Sequence, residues 1–123
     1  MKKILLALLA LFCVNAFAAS PAYETISWDK AIEMKKKNKT ALFVDVRTLG
    51  EVSQGTVAGS INIPLQQIQE RFGELPKDKI LLVFCRSGKR SQAASEFLTA
   101  QGYTKIYNVD GGFLAAPPAA AFK

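Results

Sequence analysis

"KILLVFC" (79–85), "RSQAASEFLTAQG" (90–102) and "YTKIYNV" (103–109) decide the fold of this chain. The first piece is apolar from Ile80 to Cys85 without alternation, the pattern of a central parallel strand covered on both faces. The second places Ala94, Phe97, Leu98 and Gln101 on one side of a helix, and Gly102 is a natural terminator. The third returns to a strand pattern. Strand, helix and strand form a crossover unit, and its repetition along the chain argues for a parallel sheet with helices on both faces.

Outward from that unit the same alternation recurs. "YETISW" (23–28) reads as a short strand followed by a helix capped by Ser27 and running through Trp28, Ile32 and Lys36. Its basic end, "KKKNK" (35–39), complements the helix dipole as a solvated terminus. "TALFVDVR" (40–47) reads as a buried strand ending in charge, and "AGSINIP" (58–64) as a brief one stopped by Pro64. "PLQQIQERF" (64–72) carries Leu65, Ile68 and Phe72 at helical spacing. "FLAAPPAAAFK" (113–123) is rich in Ala and Pro and is expected to be loosely attached.

The start of the chain has a different character. Lys2 and Lys3, an apolar run from Ile4 to Val14 and the small-x-small triplet Ala16-Phe17-Ala18 read as a secretory signal peptide over 1–18. The run falls short of the roughly 20 residues a membrane span wants. A lipoprotein linkage through Cys13 is disfavoured by the bulk of Phe12. Cleavage leaves 19–123, one domain with room for a single core at about 26–112. Without Lys2 and Lys3, 14 basic side chains face 10 acidic ones, so the formal charge falls from +6 to +4. That diffuse excess suits small anions and gives no reason to expect nucleic acid. No membrane association is expected after cleavage, and a monomer is the default expectation.

Removal of Cys13 leaves Cys85 without a disulfide partner, which excludes a Cys-x-x-Cys redox pair. The thiol lies at the carboxyl end of a strand, where open α/β sheets gather ligands. "CRSGKRS" (85–91) surrounds it with Arg86, Lys89 and Arg90 at a helix start, where cations are unfavourable unless an anion sits among them. Gly88 permits backbone torsions that let successive amides converge on one point. Amides, dipole and cations all favour a thiolate open to solvent. An ordinary cysteine, of pKa about 8.5, is ionised to only about 3% at pH 7; a pKa of about 6.5 raises that to about 75%. The bland alternative is a buried core cysteine.

Two chemistries use such a cradle. Phosphatase-like or arsenate-reductase-like sites space the cysteine and arginine by five residues, whereas here Arg90 comes one residue early and position 91 is serine. The sequence has no histidine, which removes Cys-His hydrolases. Thiolate attack on a sulfane sulfur needs neither a general base nor a strong acid.

"CRSGKR" resembles the six-residue active-site loop of the single-domain rhodaneses, or thiosulfate sulfurtransferases. "DVR" (45–47), "EVSQGTVAGSINIP" (51–64) and "VDGG" (109–112) are similar to further stretches of that family, and the likeness runs from about Ile26 to Gly112. With the signal peptide, it looks like the small exported rhodaneses of the bacterial periplasm. Thr56 stands where the family often has histidine, and Phe113 and Leu114 stand near the place of a usual tryptophan.

The resemblance implies a rhodanese-like α/β fold with a parallel sheet of about five strands. It implies no metal or organic cofactor. Cys85 would take the outer sulfur of thiosulfate as a persulfide and pass it to cyanide or another thiophilic acceptor. The amides of residues 86–90, Gly88 included, would hold the persulfide, and Arg86, Lys89 and Arg90 the dianionic donor. Ser87 and Ser91 could add hydrogen bonds, although for Ser91 helix capping serves as well. Asp45 and Arg47 read as structural, pairing with Glu51 or a loop cation. Gly111 and Gly112 read as turn residues and Trp28 as packing. A sulfur carrier or anion-binding module with little turnover is the rival from another class.

Overall fold

The computed structural model describes residues 23–118. The expected signal peptide over 1–18, Cys13 within it, and the last five residues lie outside the described residues. The architecture follows the alternation of the sequence: β1 (Tyr23–Ile26), α1 (Trp28–Lys37), β2 (Leu42–Asp45), α2 (Leu49–Ser53), β3 (Ile61–Asn62), β4 (Leu81–Phe84), α4 (Lys89–Ala100) and β5 (Ile106–Val109), with α3 (Ile68–Arg71) between β3 and β4. The five strands make one wholly parallel sheet in the order β1-β5-β4-β2-β3. Its carboxyl ends therefore all face one rim, with β4 in the centre.

Side chains alternate across this sheet, so β4 feeds two cores. Leu81, Val83 and Cys85 pack with Ala94 and Leu98 of α4 and with Ile68, Leu75 and Tyr103. Leu82 and Phe84 pack on the other face with Trp28 and Ala31 of α1, Phe43 and Val57. Helices thus cover both faces, and a strand buried on both sides must be apolar throughout. Cys85 is the next inward residue in the Leu81, Val83 series, which places its sulfur beneath the start of α4.

Local signals place the helices. The Ser27 hydroxyl accepts from the Lys30 N–H and caps α1. Gly102, at φ 95°, ends the turn after α4. The expected helix over 64–72 is corrected: a 3₁₀ turn (Leu65–Gln67), the single turn α3 and another 3₁₀ turn (Phe72–Glu74) replace it. Two anchors explain the break. Leu65 N–H is bonded to Val46 O at the end of β2, and the Tyr103 hydroxyl lies 2.8 Å and 2.6 Å from the carbonyls of Phe72 and Leu75. Leu65, Ile68 and Phe72 still face one core, as their spacing predicts.

The loosely attached tail is also corrected, at least to Ala116. Residues Phe113–Ala115 form a 3₁₀ turn, and Phe113 stacks on Phe84 with ring centroids 6.4 Å apart. Its backbone N–H donates to Cys85 O at 2.7 Å, and that of Leu114 to Arg86 O at 3.1 Å. Composition alone suggested slack chain. Two hydrogen bonds and an aromatic contact hold it against the sheet.

Candidate active site

The loop after β4 is shaped from both sides. On the helix side, Gly88 takes φ 119° and serves as the N-cap of α4, a torsion that side chains with a Cβ rarely adopt. On the other side, the tail fixes its peptide planes. A peptide group is planar and trans, so a carbonyl and the following N–H point in opposite directions. The Leu114 N–H draws the Arg86 carbonyl outward, and the Ser87 N–H is thereby turned inward to the Cys85 sulfur. Gly112 makes this approach possible: a Cβ there would lie 2.5 Å from the backbone of Cys85 and Arg86.

The Gly88 N–H donates to the sulfur at 3.0 Å, and the amides of Ser87 and Ser91 and the Ser91 hydroxyl lie close enough to lower the thiol. The ring thus reaches one residue past the 86–90 expected from the sequence. Ser91 does not cap its helix; its hydroxyl lies 2.6 Å from Asn108 Oδ1 and 3.1 Å from Gly88 O. The expectation of an open sulfur is corrected as well: Cys85 is 1% exposed, because it continues the inward row of β4. Burial alone pushes its thiol up. The Ser91 hydroxyl and the amides of Ser91, Gly88 and Ser87 outweigh burial and hold the thiol below its ordinary value. A core cysteine lacks such surroundings, and here the Gly88 N–H points at the sulfur from 3.0 Å.

The charged residues divide into two groups. Arg86, Ser87 and Lys89 are exposed on the outer side of the loop. Arg90 instead turns back to Glu51 on α2, with guanidinium to carboxylate distances of 2.7 and 2.9 Å. That pairing gives Arg90 a carboxylate partner and corrects Glu51 as the partner of Arg47. Burial pushes Glu51 up, but the Arg90 guanidinium and the Thr48 N–H and hydroxyl bring it down to about 2. The signal was present in the sequence: Thr48 and Glu51 form the Thr-x-x-Glu capping box that starts α2.

Asp45 and Arg47 form a separate buried pair, 2.7 Å apart, with side chains 0% and 5% exposed. Thr56 donates to Asp45 Oδ2, Arg47 donates to Gly55 O, and Asn62 Nδ2 donates to the carbonyls of Asp45 and Arg47. The Arg47 guanidinium lies 4.2 Å from the Phe113 ring centroid. The Trp28 indole donates to Gly112 O at 2.8 Å, behind the same turn. The two departures from the rhodanese pattern are thus accommodated: Thr56 satisfies a buried carboxylate, and Phe113 roofs the ion pair.

A hollow of about 260 Å³ beside Arg86 is lined by Arg47, Glu51, Gln54, Phe113 and Leu114. Two larger ones, about 300 and 380 Å³, lie along α1 and contain no loop residue, so size does not mark the chemistry here. Among the described residues, no group of three or more Cys, Asp or Glu side chains converges as a metal site requires.

Known proteins resemble this chain in sequence and fold. The chain is 34% identical over 112 residues to the thiosulfate sulfurtransferase PspE of Escherichia coli, covering 89% of this chain and 88% of that protein. It is 40% identical over 74 residues to a sulfurtransferase of Allochromatium vinosum, covering 60% and 69%. The crystal structure of a rhodanese-like domain protein from Staphylococcus aureus superposes with a TM-score of 0.71 at 30% identity, over 76% of this chain and 91% of that one. The family profile described as Rhodanese-like domain matches residues 27–116, from the cap of α1 to the turn that closes the loop, and the chain belongs to that family.

Proposed function

We propose that the protein is a sulfurtransferase that carries a sulfane sulfur from thiosulfate to a thiophilic acceptor, cyanide or a thiol, as a persulfide on Cys85. The observation that carries this reading is the buried Cys85 sulfur held by the Gly88 N–H at 3.0 Å in a loop whose Ser87 and Ser91 amides and Ser91 hydroxyl also favour the thiolate. The names of the relatives, thiosulfate sulfurtransferase among them, support it.

In the first half-reaction the Cys85 thiolate attacks the outer sulfur of thiosulfate. A new S–S bond forms, the S–S bond within thiosulfate breaks, and sulfite leaves with the electron pair. The sulfur-bound charge stays within reach of the ring, whose donors stabilise it without reorganising. The persulfide sulfur then stands about 2 Å beyond Cys85 Sγ, toward the mouth where Arg86 and Lys89 are exposed. In the second half an acceptor nucleophile attacks that outer sulfur, and Cys85 leaves as the thiolate the site already favours. Export by the amino-terminal segment, and hence work in the periplasm, belongs to the same proposal and rests on the sequence of residues 1–18.

Intact-mass measurement after incubation with thiosulfate tests the reading. The mature protein is expected to gain one sulfur atom, to lose it on adding cyanide with release of thiocyanate, and to gain none as Cys85→Ser. Hydrolysis of an aryl phosphate without that mass gain overturns it in favour of phosphatase chemistry. Sulfur loading without turnover leaves a carrier.

A further inference from the structure

Asn108 is a buried polar residue to which the reaction above gives no role. It lies on β5 next to the central strand, paired with Val83, and is 4% exposed. A buried amide on such a strand costs stability unless its hydrogen bonds are met, and an apolar residue of similar volume is the ordinary occupant. Its partners form a line. The side chain bonds to Thr25 Oγ1 on β1 at 3.4 Å and to Ser91 Oγ at 2.6 Å, and Ser91 Oγ lies 3.1 Å from the carbonyl of Gly88, whose N–H holds the sulfur, and is itself among the groups that lower the Cys85 thiol.

The line has two ways of satisfying every member. Ser91 has one hydroxyl proton and three acceptors around it: Asn108 Oδ1, Gly88 O and the sulfur. With Asn108 Oδ1 toward Ser91, the amide takes that proton, which suits a neutral thiol able to donate to Ser91 Oγ. With the amide turned end for end, Nδ2 donates to Ser91 Oγ, the hydroxyl proton is released toward a thiolate, and Oδ1 accepts from the Thr25 hydroxyl. No bond is made or broken in the turn, and the thiol proton leaves to solvent.

We infer that Asn108 is a positioning residue, whose side-chain amide sets the direction of the Ser91 hydroxyl proton and so the readiness of Cys85 to react as a thiolate. The inference rests on Cys85 being the reacting group, but it does not depend on which electrophile Cys85 attacks. Arg90 is the charged group that acts on the sulfur from α4, with Glu51 on α2 and Asp45 on β2 behind it. The hydrogen bonds of Asn108 go to none of these.

The test uses iodoacetamide alkylation of Cys85 as a function of pH, so sulfur transfer is not the readout. Asn108→Leu removes the amide, leaving Gly88 O to compete for the hydroxyl proton. The alkylation midpoint is expected to move up and the rate at pH 7 to fall about fivefold. In a Ser91→Ala background, Asn108→Leu is expected to add no further shift. A purely structural role would lower the melting temperature in both backgrounds and leave the midpoint in place, which overturns the inference. Should Asn108→Leu fail to fold, NMR of the native protein decides: the Asn108 side-chain N–H resonances are expected to titrate with Cys85, and pH-independent resonances overturn the proposal.

Discussion

The ends of β2 and β4, neighbours in the sheet, each hold an anion-forming group out of water, and they do so by opposite means. Asp45 ends β2 with its carboxylate against a full positive charge, Arg47, backed by Thr56. Cys85 follows β4 with dipoles as its contacts, from amides and a hydroxyl, and the one full charge that acts on it, Arg90, is tied to Glu51. A carboxylate gripped by a guanidinium is a fixed joint. A sulfur held by dipoles keeps its lone pairs for chemistry and meets no counter-ion that must be displaced. On the proposed function, the structural anion and the reactive one are thus distinguished by the kind of donor.

The sharpest break in this contrast is Asp45→Ala. It strands a buried guanidinium, and the expected loss of about 3–5 kcal/mol in urea unfolding far exceeds that of Cys85→Ser, which removes no partner of a full charge. Equal losses would show that both sites are structural. Gly112→Ala comes next: its Cβ meets the loop backbone at 2.5 Å from a φ of 59°, so the ring must shift. Persulfide formation from thiosulfate, followed by intact mass, is expected to slow about tenfold. The Asp45 joint should survive this change.

How much of this was legible beforehand depends on the distance between the residues involved. The β4 run, the α4 face and Gly102 are local patterns, and they fixed the crossover unit that carries Cys85. Gly88 and the loop cations were equally local. Arg90 could not be sorted from Lys89 by sequence, because its partner Glu51 lies 39 residues back and meets it only once α2 and α4 face each other. The capping box at Thr48 gave Glu51 a place without saying which cation it would meet. The tail escaped for the same reason: Ala and Pro composition describes a free chain, while its hydrogen bonds to Cys85 and Arg86 arise from the fold.

Two smaller effects sharpen the division among the cations. Arg86→Gln and Lys89→Gln are each expected to raise the KM for thiosulfate about two- to fivefold with kcat nearly constant, and added salt should shrink the difference. Kinetics at two ionic strengths check this. Glu51→Gln is expected to cost at most about 1 kcal/mol, since the Arg90 pair is partly exposed. With Glu51 lowered from 4.5 to about 2 in the fold, the stabilisation is fully present above pH 4.5 and is lost as pH falls toward about 2. Urea midpoints of the native chain and Glu51→Gln should therefore differ at pH 6 and converge by about pH 2.

The two N–H groups that Phe113 and Leu114 lend to the loop also impose an order on biosynthesis. A ribosome makes Cys85 more than twenty residues before it makes those donors. A nascent or stalled polypeptide ending ahead of Gly112 therefore carries the nucleophile without the clasp that aims its amides. Maturation of the thiol waits on donors translated well after it, so chains terminated ahead of them should emerge chemically quiet.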